Sequence, residues 1–238
     1  MARVIRVDAR PAPRELDMGA AAVVVVDMQN DFGAPGGMFD RAGIDIRPIR
    51  AIVGPITRVL EAARAAQVPV IYLKMAFQPD LADADPQSPT WLKHVPLEAG
   101  QPATAPDGTA SRVLIRDTWN TDIVDALEPR PEDTVLYKHR YSGFYGTELE
   151  TTLRDLGVST LVVVGATTSV CVDSTVRDAV FRDLHCIVLE DCVAEPIAHD
   201  APRSNHEATL LTLELLFASI ATADSLIAAL DSVTGSRA

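Results

Sequence analysis

The chain has 238 residues, and 21 lysines and arginines against 33 aspartates and glutamates give it a formal net charge of −12. Hydrophobic residues make up 47% of the chain and charged residues 23%, so it can bury a core as soluble globular proteins do. The acidic balance argues against nucleic acid as a partner, and no apolar run is long enough to predict a membrane-spanning helix. Three cysteines are too few for a disulfide framework, so we expect a free thiol and a cytoplasmic protein.

Residues 1–19 carry scattered charges without a long apolar run, and we predict a polar N-terminal arm. Residues 20–232 are predicted to form a single domain, because short apolar runs alternate there with helical patterns. Strands are predicted at 20–26, 68–73, 134–137, 161–164 and 186–189, and helices at 49–66, 147–156, 171–184 and 206–217. The strands are β-branched and lack polar alternation, so both of their faces should be buried. We therefore predict an α/β fold with an open, mostly parallel sheet and helices on both faces.

A long proline-rich interval at about 76–111 interrupts this alternation. Loops of this length inside a compact domain are usually functional or disordered. Trp91, Leu92 and Val95 could anchor the interval through apolar contacts. We therefore predict an ordered segment that forms either a lid over the site or a subunit contact.

Three predicted strands end at residues with useful chemistry, and ligands of open parallel sheets bind beyond the carboxyl ends of the strands. The first strand is followed by Asp27, the strand at 134–137 by Lys138, and the strand at 161–164 by a short turn that leads to Cys171. Helical spacing follows Cys171, which predicts a position in the first turn of a helix, where the dipole stabilises a thiolate. A carboxylate, an ammonium and a thiol at one sheet edge are the components of covalent acyl-transfer catalysis.

Each of these residues also has a simpler interpretation. Asp27 could form a turn or cap a helix, Lys138 could be solvated, and a free cysteine is most often a small buried hydrophobe. Cys186 and Cys192 keep that last interpretation, because each belongs to or flanks a core strand.

A histidine base for Cys171 is the competing hypothesis. His139 directly follows Lys138, so on a strand their side chains should point to opposite faces. The remaining histidines do not end a core strand; they are His94, His185, His199 and His206. No zinc motif and no phosphate or dinucleotide loop is present in the sequence, so we predict neither a metal nor a cofactor.

Three segments resemble the isochorismatase-like cysteine hydrolases. They are Val-Val-Val-Asp-Met-Gln-Asn-Asp-Phe at 24–32, Lys-His-Arg-Tyr-Ser-Gly-Phe-Tyr-Gly-Thr-Glu-Leu at 138–149, and Gly-Ala-Thr-Thr-Ser-Val-Cys-Val-Asp-Ser-Thr-Val-Arg-Asp-Ala at 165–179. The resemblance covers about residues 20–222. It implies a catalytic triad of Asp27, Lys138 and Cys171, with Lys138 lowering the pKa of the thiol. It also implies a cis peptide bond between Ala166 and Thr167, and an oxyanion hole made by the backbone N–H groups of Thr167 and Cys171.

Within this family the resemblance is strongest to ureidoacrylate amidohydrolases, through Arg-Tyr-Ser-Gly-Phe at 140–144 and Cys-Val-Asp-Ser-Thr-Val-Arg-Asp at 171–178. Those enzymes carry an Asn and a Trp where this chain has Met75 and Phe77, so we expect a less polar pocket. The zinc motif of nicotinamidases and the helix Gln of biuret hydrolases are missing. Isochorismatases proper lack the cysteine that this chain has at position 171.

The resemblance implies a hydrolase for a linear C–N bond of an amide or ureido (N-carbamoyl) small molecule, such as ureidoacrylate. The reaction would pass through a thioester or thiocarbamate on Cys171 without a cofactor, in a homo-oligomer (dimer or tetramer). The alternatives are an amidohydrolase for biuret, an N-carbamoyl amino acid or another amide, a vinyl ether hydrolase of the isochorismatase type, and a binding protein on the same fold. The candidate pocket walls, for which core packing is the other interpretation, are Phe32, Phe77, Trp91, Tyr141 and Tyr145.

Overall fold

A central sheet and two layers of helices organise the molecule in the computed structural model, which describes residues 4–197 and 204–234. The strands are β1 (Val4–Val7), β2 (Ala9–Arg10), β3 (Arg14–Asp17), β4 (Ala21–Val26), β5 (Val70–Met75), β6 (Pro102–Thr104), β7 (Ala110–Arg112), β8 (Thr134–Lys138), β9 (Thr160–Ala166), β10 (His185–Ala194) and β11 (Ser219–Ala221). The α-helices are α1 (Asn30–Gly33), α2 (Met38–Arg41), α3 (Arg47–Ala51), α4 (Val53–Ala65), α5 (Pro89–His94), α6 (Leu149–Asp155), α7 (Asp173–Val180), α8 (Asn205–Leu216) and α9 (Ala223–Thr234). A π-helical turn at Thr168–Val172 leads directly into α7.

Seven of these strands form the central sheet, in the order β2-β11-β10-β9-β4-β5-β8. All neighbours pair in parallel except β2, which pairs antiparallel with β11 at one edge. The chain runs from β4 outward to β5 and β8 and then returns to place β9 on the other side of β4. The predicted α/β fold with an open, mostly parallel sheet is confirmed.

The alternating side chains of β4 explain why the sheet lies between two helical layers. Val23 and Val25 pack into one apolar cluster with residues of α4 and α9, whereas Val24 and Val26 pack into another with residues of α6, α7 and α8. Every residue of β4 is buried. Full burial of a valine side chain stabilises a fold by roughly 1.5–3 kcal/mol, so this run alone favours a central position.

Two of the predicted helices differ from the structure by more than their end residues, and α1, α2, α5 and α9 were not predicted. The helix predicted at 49–66 is divided at Ile52 into α3 and α4. Pro55 lies in the first turn of α4, where its missing N–H costs no intrahelical hydrogen bond. The helix predicted from 171 to 184 begins instead in the π-helical turn, and its α-helical part ends at Val180.

The described part of the predicted N-terminal arm is folded rather than solvated. β1 and β3 form an antiparallel hairpin, and β2 joins the central sheet. Val7 and Leu16 are buried in the core, while the arginines between them point outward. The Arg10 guanidinium lies 2.8 Å from the Glu190 carboxylate and 3.1 Å from that of Glu214. The strands are short and carry several charged residues, which explains why the sequence suggested a polar arm.

The interval at 76–111 contains α5, a single 3-10 turn at Val95–Leu97 and the hairpin β6–β7. Of the three expected anchors, only Trp91 packs against the core, because Leu92 and Val95 are about half exposed. The inward face of α5 and the turn after it carries Trp91, His94 and Leu97, which follow one another at helical spacing. This face brings the interval over the carboxyl end of the sheet.

Candidate active site

The carboxyl ends of four neighbouring strands, β9, β4, β5 and β8, meet at one place on the sheet edge. The order of the chain reverses between β9 and β4, and ligands of open α/β sheets bind at such a point. Asp27 follows β4, Met75 ends β5 and Lys138 ends β8. Ala166, which ends β9, leads into the turn that carries Cys171.

Asp27 and Lys138 form a buried ion pair across the end of β5. Lys138 Nζ lies 2.7 Å from Asp27 Oδ2, and the two side chains are 0% and 1% exposed. Lys138 also donates a hydrogen bond to the backbone oxygen of Arg140 and lies 3.8 Å from the sulfur of Met75. Within the described ranges, neither carboxylate oxygen of Asp27 receives a hydrogen bond of good geometry. The carboxylate is therefore held by charge and keeps lone pairs that can take a proton.

The backbone conformation after β4 determines the position of Asp27. Asp27 has a φ of 51°, in the left-handed region that aspartate tolerates better than most residues. Two residues later, the Gln29 amide donates to the Met75 backbone oxygen at 2.9 Å and accepts from the Met75 N–H at 2.8 Å. This pair of hydrogen bonds fixes the segment after β4 to the end of β5.

Gly165 allows β9 to approach β4 beside Asp27. Its φ is +115°, and a Cβ added there would lie 2.1 Å from the backbone oxygen of Val26. No other residue fits this position without moving the strand. The next peptide bond, between Ala166 and Thr167, is cis. The Thr167 N–H donates no hydrogen bond to another described residue, and Thr167 lines the same cavity as Cys171.

The turn that carries Cys171 is tied to β10 and α8 by polar contacts. The Ser169 N–H and hydroxyl both donate to Glu195 Oε2, at 2.9 and 2.5 Å. The Asn205 amide donates to the Ser169 hydroxyl at 2.8 Å, and Thr168 Oγ1 lies 2.9 Å from His206 Nδ1. Glu195 is almost fully buried, so these contacts replace water and hold the turn in one position.

Cys171 lies beside the ion pair as a buried thiol. Burial raises its pKa, Lys138 acts in the opposite direction, and the neighbouring Asp27 carboxylate adds to the rise. Lys138 therefore lowers the pKa of the thiol as expected, but desolvation is the larger effect and the net direction is a rise. Burial also raises the pKa of Asp27, although Lys138 opposes this. Burial lowers the pKa of Lys138, but Asp27 and Cys171 together outweigh it and keep the ammonium charged.

These groups open onto a cavity of about 140 Å³ with mostly apolar walls. Phe32 and Tyr141, two of the five predicted wall residues, line it together with Asp27 and Cys171. The other lining residues are Met38, Phe39, Ile44, Met75, Lys93, His94, Leu97, Ala166, Thr167, Val170 and Ile197.

The other three predicted wall residues lie elsewhere. Phe77 is fully buried and packs edge-on against Trp91, with 4.9 Å between the ring centroids. Both residues belong to the interval at 76–111, and their rings pack into the core because this segment folds back over the sheet edge. Tyr145 is 58% exposed, and its ring faces His139 and Arg140 rather than the cavity.

Most of the wall was missed by the sequence analysis. Met38, Phe39 and Ile44 come from α2 and the loop after it, which show no long hydrophobic pattern. Lys93 and His94 come from α5, whose helical spacing is a signal that could have been found. None of the other described histidines is among the residues that line the cavity. His185 contacts Arg14 and His206 contacts Thr168, whereas His199 lies outside the described residues.

Two further observations concern metals and membranes. Among the described residues, no group of three or more His, Cys, Asp or Glu side chains could hold a metal ion. No helix in this part of the chain combines the length and apolar character needed to cross a membrane.

Comparisons with known proteins agree with this architecture. The isochorismatase domain model matches residues 21–225. A ureidoacrylate amidohydrolase, RutB, from Methylobacterium radiotolerans is 40% identical over 229 residues, which are 95% of this chain and 84% of that protein.

Two solved structures resemble the chain along nearly its whole length. A cysteine hydrolase from Pseudomonas syringae pv. phaseolicola has a TM-score of 0.76 and 29% identity, covering 96% of this chain and 97% of that one. N-carbamoylsarcosine amidase from Thermoplasma acidophilum has a TM-score of 0.62 and 29% identity, covering 86% of this chain and 96% of that one. With a family model that matches most of the chain and a relative at 40% identity, the protein belongs to the isochorismatase family of hydrolases.

Proposed function

We propose that the protein is an amidohydrolase that cleaves a linear C–N bond of a ureido or amide small molecule, with Cys171 as the nucleophile. The observation that carries this proposal is the buried Asp27–Lys138 ion pair beside the Cys171 thiol, at the inner end of one cavity. The names of two relatives, ureidoacrylate amidohydrolase and N-carbamoylsarcosine amidase, support the same bond type.

In the proposed mechanism, Asp27 takes the proton of the Cys171 thiol while the sulfur attacks the carbonyl carbon. The raised pKa of the thiol makes a free thiolate costly, so proton transfer should accompany the attack. The backbone N–H groups of Thr167 and Cys171 would hold the developing oxyanion. Asp27 then gives its proton to the departing nitrogen, which leaves as an amine or ammonia.

The product of this first half is a thioester or thiocarbamate on Cys171. A water molecule that gives its proton to Asp27 attacks this intermediate, and the sulfur leaves as the thiol after taking a proton back from Asp27. Lys138 remains an ammonium throughout and offsets whichever negative charge is present on Asp27 or the sulfur. Losing one oxyanion donor typically costs about 2.7–4 kcal/mol of the activation free energy, and losing the nucleophile should cost more.

The walls of the cavity bear on the choice of substrate. Met75 lies beside the ion pair at the position where ureidoacrylate amidohydrolases were expected to carry an Asn. With Phe39, Ile44 and Leu97, it favours a substrate whose ureido or amide group carries an apolar segment. Ureidoacrylate remains one candidate, and N-carbamoyl amino acids and other amides remain the alternatives.

The compartment and the assembly also belong to this proposal. Cys171, Cys186 and Cys192 are all unpaired, which fits a reducing cytoplasm. The exposed apolar residues Leu215 and Leu216 of α8 support a homo-oligomer, whose order sedimentation would measure.

The test replaces Cys171 with Ala and follows ammonia release from a panel of ureido and amide compounds. We expect Cys171→Ala to lower turnover by roughly 10³-fold or more. Cys186→Ala and Cys192→Ala are matched controls, because both cysteines are buried in the core away from the cavity and should keep full turnover per folded molecule. Undiminished turnover in Cys171→Ala would refute the nucleophile, and isochorismate hydrolysis surviving in that variant would favour the vinyl ether alternative.

A further inference from the structure

His94 combines burial with a ring nitrogen that makes no hydrogen bond to any other described residue. The side chain lies at the end of α5, is 7% exposed and lines the cavity that holds Asp27 and Cys171. Its Nδ1 lies 2.7 Å from the backbone oxygen of Thr90. A carbonyl oxygen only accepts hydrogen bonds, so Nδ1 must carry the proton.

The Thr90 contact of Nδ1 is the one hydrogen bond that the His94 ring makes with the described residues, which leaves its second nitrogen, Nε2, available to a molecule in the cavity. Burial lowers the pKa of His94, and the positive charges of Lys138 and Arg140 lower it further, although the Thr90 contact opposes this. A lowered pKa favours the neutral ring, and with Nδ1 protonated its Nε2 is a pure acceptor. Packing holds the ring in this orientation, with its centroid 6.1 Å from that of Phe77 and 5.9 Å from that of Tyr141.

We propose that His94 is a specificity-determining residue whose Nε2 accepts an N–H hydrogen bond from the substrate and thereby selects ureido groups over simple amides. This inference rests on the proposed function, and it adds a residue and a preference that the reaction itself does not require.

The reason lies in the number of N–H groups around the carbonyl carbon. A ureido group has nitrogen on both sides of its carbonyl, whereas a carboxamide has nitrogen on one side and carbon on the other. In the proposed mechanism, Asp27 protonates the nitrogen that departs. A second acceptor is needed only when the other side also carries an N–H group.

The cavity offers few such acceptors. Lys93 can only donate, and the remaining lining side chains are apolar apart from Asp27, Thr167, Tyr141 and the thiol. The hydroxyls of Tyr141 and Thr167 could accept as well, so both are alternatives that the experiment must separate. Thr167→Val, like Tyr141→Phe, should leave the preference for the ureido compound unchanged. A buried acceptor left without its donor penalises an analogue that lacks the N–H group, which is how hydrogen-bonding sites discriminate strongly.

The experiment compares the ureido compound with the highest turnover in the ammonia-release screen and the amide in which CH₂ replaces its bridging NH. Ureidopropionate and glutaramate are one such pair. We expect the wild-type protein to favour the ureido compound at least tenfold in kcat/KM. His94→Phe should lose roughly 10- to 100-fold on the ureido compound and much less on the amide.

Three further variants make the result specific. His94→Gln presents a carboxamide oxygen and should recover part of the preference. Tyr141→Phe should leave the ratio of the two kcat/KM values close to that of the wild type. His139→Phe is the matched histidine control, because His139 lies outside the cavity and its loss should not move the ratio.

A measurement independent of turnover is the ¹⁵N chemical shift of the His94 ring, which should report a protonated Nδ1 and an unprotonated Nε2. The opposite tautomer, or an equal loss on both compounds in His94→Phe, overturns this inference while leaving the proposed function intact. The same holds if the wild-type protein hydrolyses amides but no ureido compound. If it hydrolyses neither class, the proposed function itself fails.

Discussion

Removing Lys138 tests whether the ion pair with Asp27 holds the site together. In Lys138→Met the side-chain volume is nearly kept, but the Asp27 carboxylate loses the ammonium at 2.7 Å while remaining 1% exposed. Breaking a buried pair by deleting one partner typically costs about 3–5 kcal/mol of the free energy of unfolding. We expect a loss of this size near pH 8.

The size of this loss should depend on pH. Burial already raises the pKa of Asp27, and without Lys138 only the smaller effects of Cys171 and the Met75 backbone oppose that rise. A carboxyl whose pKa is higher in the folded than in the unfolded protein contributes stability below its unfolded pKa, and this contribution is lost as the pH rises through the folded pKa. Each unit of pKa difference corresponds to about 1.4 kcal/mol, so the variant should recover part of its stability between pH 8 and pH 5.

Urea unfolding followed by circular dichroism at pH 5, 6.5 and 8 measures these free energies. Lys74→Met is the matched control, because Lys74 is also buried on a neighbouring strand but lies 3.8 Å from an exposed carboxylate, that of Asp122. Burial lowers the pKa of Lys74, so removing its ammonium should cost little. In Asp27→Asn/Lys138→Met, both charges are gone and much of the stability should return. The reasoning fails if Lys138→Met costs no more than Lys74→Met, or if its cost is the same at every pH.

Two other carboxylates give further predictions. Asp31 is fully buried, and burial raises its pKa to about 6 although Asn120, Leu114 and Met38 donate hydrogen bonds to it. The pKa of Asp31 is higher in the folded than in the unfolded protein, so the free energy of unfolding of the wild type relative to Asp31→Asn should rise by about 1 kcal/mol from pH 8 to pH 5. Urea unfolding measures this difference, and a difference that stays constant with pH would contradict the prediction. Glu195→Ala leaves the Ser169 and Ile197 N–H groups without their acceptor and should lower kcat at least tenfold, whereas Glu195→Gln should retain more activity. Thermal unfolding of both variants measures their stability separately. If the role of Glu195 were purely structural, stability would fall but kcat per folded molecule would not.

The sequence predicted the convergence of Asp27, Lys138 and Cys171 because their positions depend on strands with a strong local pattern. Runs such as Val23–Val26 can only be buried strands, and the carboxyl ends of parallel strands share one edge. The order of the strands was not predicted, and it is this order, β9-β4-β5-β8, that brings Asp27, Lys138 and the turn carrying Cys171 together.

The cavity wall was less predictable, because it depends on which face of a short helix turns inward. In α5 the sequence favoured Trp91 as a wall residue, but Trp91 packs against Phe77 and leaves His94 at the cavity. The spacing of Trp91, His94 and Leu97 marks the inward face of α5 and the turn after it, but it does not say which of these side chains reaches the cavity. The thiol shows a similar limit, since its position near a helix start favours a low pKa while its burial, a tertiary property, raises it.

The charge of the whole chain and the electrostatics of the site have different consequences for substrate choice. A net charge of −12 repels anions at a distance, but at physiological ionic strength the interaction between exposed charges is largely screened beyond about 8 Å. Inside the cavity, Lys138 offsets Asp27, while burial raises the pKa of the Cys171 thiol and lowers that of His94, which disfavours a charge on either group. On the proposed function, the inner wall should therefore select by hydrogen bonding and apolar contact rather than by charge. The exposed Lys93 ammonium lines the cavity and has no ion-pair partner among the described residues, so it is the group that would attract an acidic substituent on such a substrate.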